Sequence, residues 1–428
     1  HAVPIDPLLV DRIEILRGSS ALLHGGSAIG GVVNVIDRRI PTDVEPGVSG
    51  SFLSTYNSVD EGFSSGIVGF AGSDKFSFQI NGFIRDYKEY DTPTFYSRDH
   101  DGNTEGPFNK VANSQGESES IGFGGSYKLD SGYAGFSFSN YENEYGVPGE
   151  HAELDTRIEM ESDRFEFRSE IEISDSEWLT GIDLNLGYSD YKHSEIGKEE
   201  PTDTEVETHS TYLREGFDAK IGFNHEIGNL NGVFGIQGVF DEFKVEGEGI
   251  LSGSSNQNDA ITSEESTRLA LFLIEQYALS DQTQLNGGIR VESFDRDYTG
   301  TADREDELFS ASGGISHDLS EIWNISGNLS YSERAPDTAE LYSDGAHHAT
   351  ESYDVGTSTL DTESAVGIEV ILRKKIGNVT GQVSAFHTKY KNFVFTEHTE
   401  VIRDSEGDLP PFPAGTEGLE EKKYESAD

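Results

Sequence analysis

From Gly47 onward the sequence is a succession of segments in which apolar and polar residues take turns, the period-two pattern of strands with two unlike faces. Within 165–173, Phe165, Phe167, Ile171 and Ile173 share one face, and Glu166, Arg168, Glu170 and Glu172 share the other. The same holds for Leu285, Ile289 and Val291 against Asn286, Arg290 and Glu292, and for Ile325, Leu329 and Tyr331 against Ser326, Asn328, Ser330 and Ser332. A soluble sandwich alternates in this way too. The connections separate the two cases. Tight turns recur at 72–74, 130–132, 174–177, 227–229, 280–282, 318–321 and 376–378. Every second connection is mostly long and polar, at 88–116, 143–155, 194–205, 246–263, 299–307, 334–360 and 397–418, with a short exception at 59–61. Short turns on one rim and long loops on the other characterise transmembrane β-barrels. The pattern predicts fifteen antiparallel strands and a sixteenth beginning near Glu420.

Composition agrees with a wall rather than a packed core. Only 34% of the 428 residues are hydrophobic, yet 11% are aromatic and 48 are glycine. A disordered acidic chain would be poor in aromatics. There is no run of 18 apolar residues, so no transmembrane helix is expected, but a closed β-barrel crosses a membrane without one. The absence of cysteine rules out a disulfide framework and thiolate metal sites. A net charge of −48 argues against nucleic acid or an anionic lipid surface as partner. Because the acid is spread along the whole chain, it reads as adaptation to salty water before it reads as a cation-attracting face.

Residues 10–39 read VDRIEILRGSSALLHGGSAIGGVVNVIDRR. Ile13 and Ile15 alternate with Arg12, Glu14 and the nearby Arg17, as in a short half-buried strand. Gly18 breaks that strand, 19–23 can form one helical turn, four glycines permit close backbone packing, and 32–36 is a second strand. No Gly-Lys-Ser/Thr follows, so a phosphate-cradling loop is excluded. The stretch resembles the end of the plug domain of TonB-dependent outer-membrane receptors, where "ERIEVLRGPASALYGSGAIGGVINI" precedes the barrel. That resemblance implies an all-β fold in which 1–46 are the closing part of a plug and its hinge, and 47–428 are an incomplete barrel of about 22 strands when complete. It also implies an earlier plug half and an energy-coupling segment outside this sequence, so the chain reads as a fragment whose open edge would need pairing.

A second block, YSERAPDTAELYSDGAHHATESYDVGTSTLDTESAVGIEV at 331–370, is similar to a late-barrel block of receptors related to the zinc-uptake group. YGVPGEHAE at 145–153 looks like a loop that in this subgroup leads into a histidine-rich stretch, here reduced to His151 with Glu150, Glu153 and Asp155. Without cysteine, a zinc ligand set must come from histidine, carboxylate and water. The candidates are His347 and His348, with Glu340, Asp344 and Glu351 nearby, then His151, and His100 between Asp99 and Asp101. Adjacent histidines in a strand point opposite ways, so one of the 347/348 pair would face a given ligand. His193, His209, His225, His317 and His387 fall in strands or near short turns and read as wall residues; His24 reads as a packing residue.

The resemblance further implies a function. Such a receptor sits in the outer membrane of a Gram-negative bacterium, in contact with its lipid, and binds a scarce nutrient at its outer face. It imports that nutrient on energy from the TonB–ExbB–ExbD complex. It needs no resident cofactor; zinc or an iron chelate would be cargo, with an iron–siderophore or other nutrient as the alternative to zinc. Arg12, Glu14 and Arg17 match charged motif positions and are expected to pair with barrel charges. An enzyme is not indicated, since among the many Asp and Glu residues no pair stands out. An adhesin barrel would have no use for a gate.

Overall fold

In the computed structural model, the residues described are 10–16, 22–23, 25, 29–42, 46–98, 104–149, 152–198, 204–247, 251, 263–347, 350, 352–405, 407–412 and 418–427. A hairpin comes first, β1 (Arg12–Leu16) with β2 (Val32–Ile36), followed by β3 (Gly47–Asn57), β4 (Gly62–Gly72) and β5 (Phe76–Tyr87). A second hairpin, β6 (Asp91–Arg98) with β7 (Thr104–Lys110), rises from the next connection. The wall continues through β8 (Gly116–Leu129), β9 (Gly132–Gly146), β10 (Arg157–Glu172), β11 (Leu179–Gly197), β12 (Glu207–Ile227) and β13 (Leu230–Gly247). It goes on through β14 (Ser263–Ser280), β15 (Thr283–Tyr298), β16 (Arg304–Asp318) and β17 (Trp323–Arg334). A short helix α1 (Thr338–Tyr342), β18 (Asp344–His347) and β19 (Ser352–Val355) interrupt it before β20 (Glu363–Lys374) and β21 (Gly381–Lys391); β22 (Phe393–Arg403) and β23 (Leu419–Ala427) come last.

Fifteen of these strands form one antiparallel sheet, each beside its sequence neighbour among the wall strands, with β3 and β21 at its open edges. They are the fifteen strands that alternation predicts. The sheet is not a closed ring. The expectation of a plain meander to the end of the chain needs correction. Asn392 (φ 54) kinks the chain after β21, and β22 leaves the wall. The expected sixteenth strand exists as β23, but it pairs with β22 and, in parallel, with β19, making a separate sheet ordered β18-β19-β23-β22.

The wall is inside-out relative to a soluble sheet. On β5, Ser77, Gln79 and Asn81 are each 4% exposed, whereas Phe76, Phe78 and Ile80 are 47%, 53% and 59% exposed. Register carries this face assignment across the sheet. Ile80, Phe123, Phe138, Phe165, Tyr188, Phe217 and Phe240 stand opposite one another on seven successive strands. Ring centroids in this outward row lie 5.5, 4.7 and 6.3 Å apart from Phe123 to Tyr188. Near the short turns a second outward set contains Phe76, Tyr127, Trp178, Tyr277 and Trp323. Trp178 and Tyr188 are ten residues apart, about 33 Å along a strand at roughly 3.3 Å per residue and about 23 Å in height at a 45° tilt. That matches the ≈ 25 Å apolar band between aromatic girdles of an outer-membrane wall. Strands such as β12 (21 residues) extend well past the upper row.

The opposite face is polar and internally bonded. Arg168, Asn185, Lys220 and Gln237 form one row across four strands. Side chains on this face satisfy one another: Asn224 donates to Asp183 (2.7 Å), Gln237 to Asp218 (2.6 Å), and Arg290 to Glu292 (2.9 Å). Among the described residues the clusters of buried apolar side chains are small and lie beneath the long loops, such as Leu341, Leu360 and Val394 with Tyr342 and Tyr424.

The wall also curves around the N-terminal segment. The Arg38 guanidinium lies 4.7 Å from the Phe70 ring centroid on β4, and Gly30 shares a cavity with Tyr390 on β21. Those strands are thirteen positions apart in the sheet, roughly 62 Å if it were flat, at about 4.8 Å per strand. Eight extended residues reach about 29 Å at most. Side chains cannot supply the remainder, so the polar face is concave and the segment lies against it.

Candidate functional site

The concave face carries two sets of contacts, one from the N-terminal segment and one from the 334–360 connection. In the first, the hairpin's exit fits into spaces that glycines leave in the wall. A Cβ on Gly124 of β8 would fall well inside 3.0 Å of the Arg39 carbonyl oxygen, and one on Gly135 of β9 would meet the Ile40 side chain as closely. Ser126 donates to the Pro41 carbonyl, and the Arg39 guanidinium donates to Ser139. Arg39 also grips Asp37 at 2.6 Å. Burial pushes the Asp37 carboxyl up, but the hydrogen bond and charge of Arg39 outweigh it and hold the group below its ordinary value. Farther along, Leu22 packs on Gly288, and Gly25 lies beside the Arg290 guanidinium.

Among the described residues, Arg12 bonds Glu14 at 2.8 Å and lies 3.8 Å from Asp11, and Asn34 donates to Glu14, contacts made within the hairpin. The charged residues sit on one face of a two-stranded ribbon, where a neighbour two positions along is the nearest opposite charge. Arg17 lies outside the described residues. The expected half-burial of Ile13 and Ile15 also needs correction: they are 59% and 72% exposed, and with Val33 they leave the hairpin's apolar face uncovered among the described residues.

The second set folds the 334–360 connection inward. Asp337 caps α1 through a capping box with Glu340. Arg334 donates to both Glu340 oxygens (2.9 and 3.0 Å) and to Glu363 (2.7 Å). Arg296, fully buried on β15, donates to the Pro336 carbonyl and pairs with Asp306; Thr338 donates to Glu264. His347 lies beyond this helix. Its Nδ1 is 3.1 Å from Asp354, and its Nε2 is 3.9 Å from Glu195 on the concave face of β11. Of the carboxylates expected near it, Glu340 is held by Arg334, and Asp344 accepts from Tyr353 at 2.9 Å. His348, His151, His100 and His24 lie outside the described residues, as does Glu351. Among the described residues no group of three His, Asp or Glu is placed to hold a metal ion. His193 stacks on Tyr212, centroids 4.5 Å apart, and His225 contacts Glu275 at 3.1 Å.

Sequence reasoning missed Arg38, Arg39, Glu195 and Asp354 as parts of this face. The adjacent arginines ending the motif were a legible signal for the first two. Nothing local marks Glu195 or Asp354.

Residues 81–416 match the family model described as TonB dependent receptor-like, beta-barrel. The chain is 24% identical over 386 residues to an iron-regulated outer membrane virulence protein of Vibrio cholerae serotype O1, covering 90% of the chain and 53% of that protein. It therefore spans about half the length of such a relative. Among solved structures, the copper transporter OprC superposes with a TM-score of 0.73 at 13% identity, over 98% of this chain and 63% of that one. The siderophore receptor PirA from Pseudomonas aeruginosa gives 0.67 at 16% identity, over 100% of this chain and 69% of that one. At these identities the likeness is one of fold.

Proposed function

The chain belongs to the TonB-dependent receptors, a family of transport receptors of the Gram-negative outer membrane, and from that premise we propose that it forms the larger part of a receptor importing an iron chelate of the siderophore class. The observation that carries this reading is the inside-out wall, apolar outward between two aromatic rows and polar inward, wrapped around the N-terminal hairpin. Residues 1–46 are the closing part of the plug and its hinge; 47–428 are most of a barrel that closes at about 22 strands. The exposed Ile13, Ile15 and Val33 supply the face on which the rest of a plug packs, since a two-stranded ribbon is marginal by itself.

In this account cargo binds among the long loops, and the TonB complex pulls on the plug. Contacts of the Arg39–Ser139 kind break, and the lumen opens to the periplasm. The wall needs no nucleotide or cofactor for this. An adhesin would have no use for a segment docked inside its wall.

A bare metal ion such as zinc is the second reading, favoured by the likeness of 331–370 to the zinc-uptake group, although among the described residues no three ligands converge on one point. Growth of cells carrying the full-length receptor as their sole route for iron or for zinc separates the two. Rescue by ferric siderophores and not by limiting zinc supports the iron chelate; the converse result assigns zinc, and neither rescue removes the nutrient-receptor reading.

A further inference from the structure

Between the hairpin and strands β5 to β12 runs a cavity of about 790 Å³, within the 300–1,000 Å³ range of small-molecule sites. Both Tyr133 and Tyr141 of β9 line it, as do Ser162, Arg164, Glu166, Arg168 and Glu170 of β10. Tyr133 stands opposite Lys128, next to the lower-row Tyr127, and Ser162 lies three residues beyond the upper-row Phe165. The cavity thus runs the height of the apolar band.

Its charge is opposite to that of the chain. Six cations line it: Arg12, Arg38 and Arg39 from the hairpin side, Arg164, Arg168 and Lys220 from the wall. Among the described residues four carboxylates do: Asp11, Asp37, Glu166 and Glu170. The chain has 31 Lys and Arg against 79 Asp and Glu, so ten charged residues drawn at random would include about three cations. Arg164 and Arg168 both lean on one carboxylate, Glu166, at 2.8 and 3.5 Å, while their own side chains remain about half exposed to the cavity. Lys220, level with Arg168 in the register, makes no ion pair within 4.0 Å among the described residues. Wall positions carry positive charge on two levels, four residues apart on β10, about 13 Å along the strand.

We propose that this slot is an anion-binding subsite on the transport route, so that cargo crosses as a negatively charged chelate whose carboxylate or phenolate oxygens pass between Arg164, Arg168 and Lys220 on one side and Arg38 and Arg39 on the other. A low-dielectric wall focuses the field of these groups into the slot, attracting an anion and opposing a bare divalent cation. The proposal rests on the receptor reading and narrows its cargo.

The test uses purified full-length receptor treated with phenylglyoxal, with modification of Arg164 and Arg168 quantified by mass spectrometry. The probes are ferric citrate, an anionic carboxylate chelate, and an uncharged ferric trihydroxamate at equal concentration. Ferric citrate is expected to slow modification of both arginines at least fivefold and the uncharged chelate less than twofold. In Lys220→Gln, which keeps the side-chain length, the ferric citrate needed for half protection should rise at least threefold. Equal protection by both chelates, none by ferric citrate, or no change in Lys220→Gln overturns the proposal. Nutrient uptake in cells with and without the receptor gene is measured in parallel. Protection without receptor-dependent uptake refutes the receptor reading and leaves the anion site standing; uptake without charge-selective protection does the reverse.

Discussion

Gly124→Ala should loosen the hairpin's exit from the wall, with a smaller strain on β9, where the added carbon also falls 2.8 Å from the Phe136 carbonyl oxygen. The new methyl carbon points to the concave face and collides with the Arg39 carbonyl oxygen, a backbone atom that cannot rotate aside. Forcing an extra carbon into such a fit costs about 1–3 kcal/mol. Moving the exit far enough to relieve it also strains the Ser126–Pro41 and Arg39–Ser139 hydrogen bonds, worth about 1 kcal/mol each. The docked state should therefore weaken by about 3–5 kcal/mol, and with about 1.4 kcal/mol per factor of ten even the lower figure is a change of more than a hundredfold in the open population. The chain contains no cysteine, so Ile40→Cys supplies a single reporter at a position that is buried when docked. Labelling by a water-soluble maleimide should run at least fiftyfold faster in the Gly124→Ala, Ile40→Cys receptor than in Ile40→Cys alone. Rates within twofold of each other would show that the exit does not sit in the space Gly124 leaves.

Arg39→Gln should raise the Asp37 carboxyl from its depressed value, because the guanidinium's hydrogen bond and charge are lost while only the residue-39 N–H and Arg168 still oppose burial; carbon-13 NMR of that carboxyl reads it, and an unchanged value would contradict the pairing. In the parent the depressed Asp37 value makes its contribution to docking present above about pH 4 and lost as pH falls through the lower folded value, so hydrogen-exchange protection of the Ile40 amide should decline only below that point. Arg334→Met leaves Glu363 and Glu340 facing each other without a cation, which should cost roughly 3–5 kcal/mol locally and raise amide exchange across 338–347 while the wall strands stay protected. Leu271→Arg, on the outward face between the two aromatic rows, should destabilise the receptor in liposomes by about 2–4 kcal/mol in urea titration, whereas the same change at the periphery of the long loops should cost little.

The wall was legible because its information is local. Strands alternate with period two, and turns such as 227–229 and 280–282 are short enough to force antiparallel neighbours, so the pairs β12 with β13 and β14 with β15 follow from the sequence by themselves. The loop-side sheet was not legible. The parallel pairing of β19 with β23 joins residues 352–355 to 420–423 with β20 to β22 between them, and the kink that permits it depends on Asn392 taking a left-handed conformation and donating to the Thr362 carbonyl. The same distinction governs the site. The 10–39 motif points to a hairpin, yet which of its charges meets the wall depends on where Gly124 and Gly135 leave room, a property of two strands about a hundred residues away. For His347 the sequence offers Glu340 and Asp344 as neighbours, but α1 turns the first toward Arg334 and strand pairing gives the second to Tyr353. Asp354 and Glu195 replace them from a facing strand and from the wall.

The central claim is that this sheet faces lipid with its apolar side and a polar lumen with the other. Single cysteines at 268–273 on β14 of the full-length receptor, spin-labelled in liposomes, test it residue by residue. Collisional relaxation by lipid-soluble oxygen should dominate at 269, 271 and 273, and relaxation by a water-soluble nickel chelate should be lower there than at 268, 270 and 272. Equal behaviour along the segment, or the opposite phase, would contradict the account.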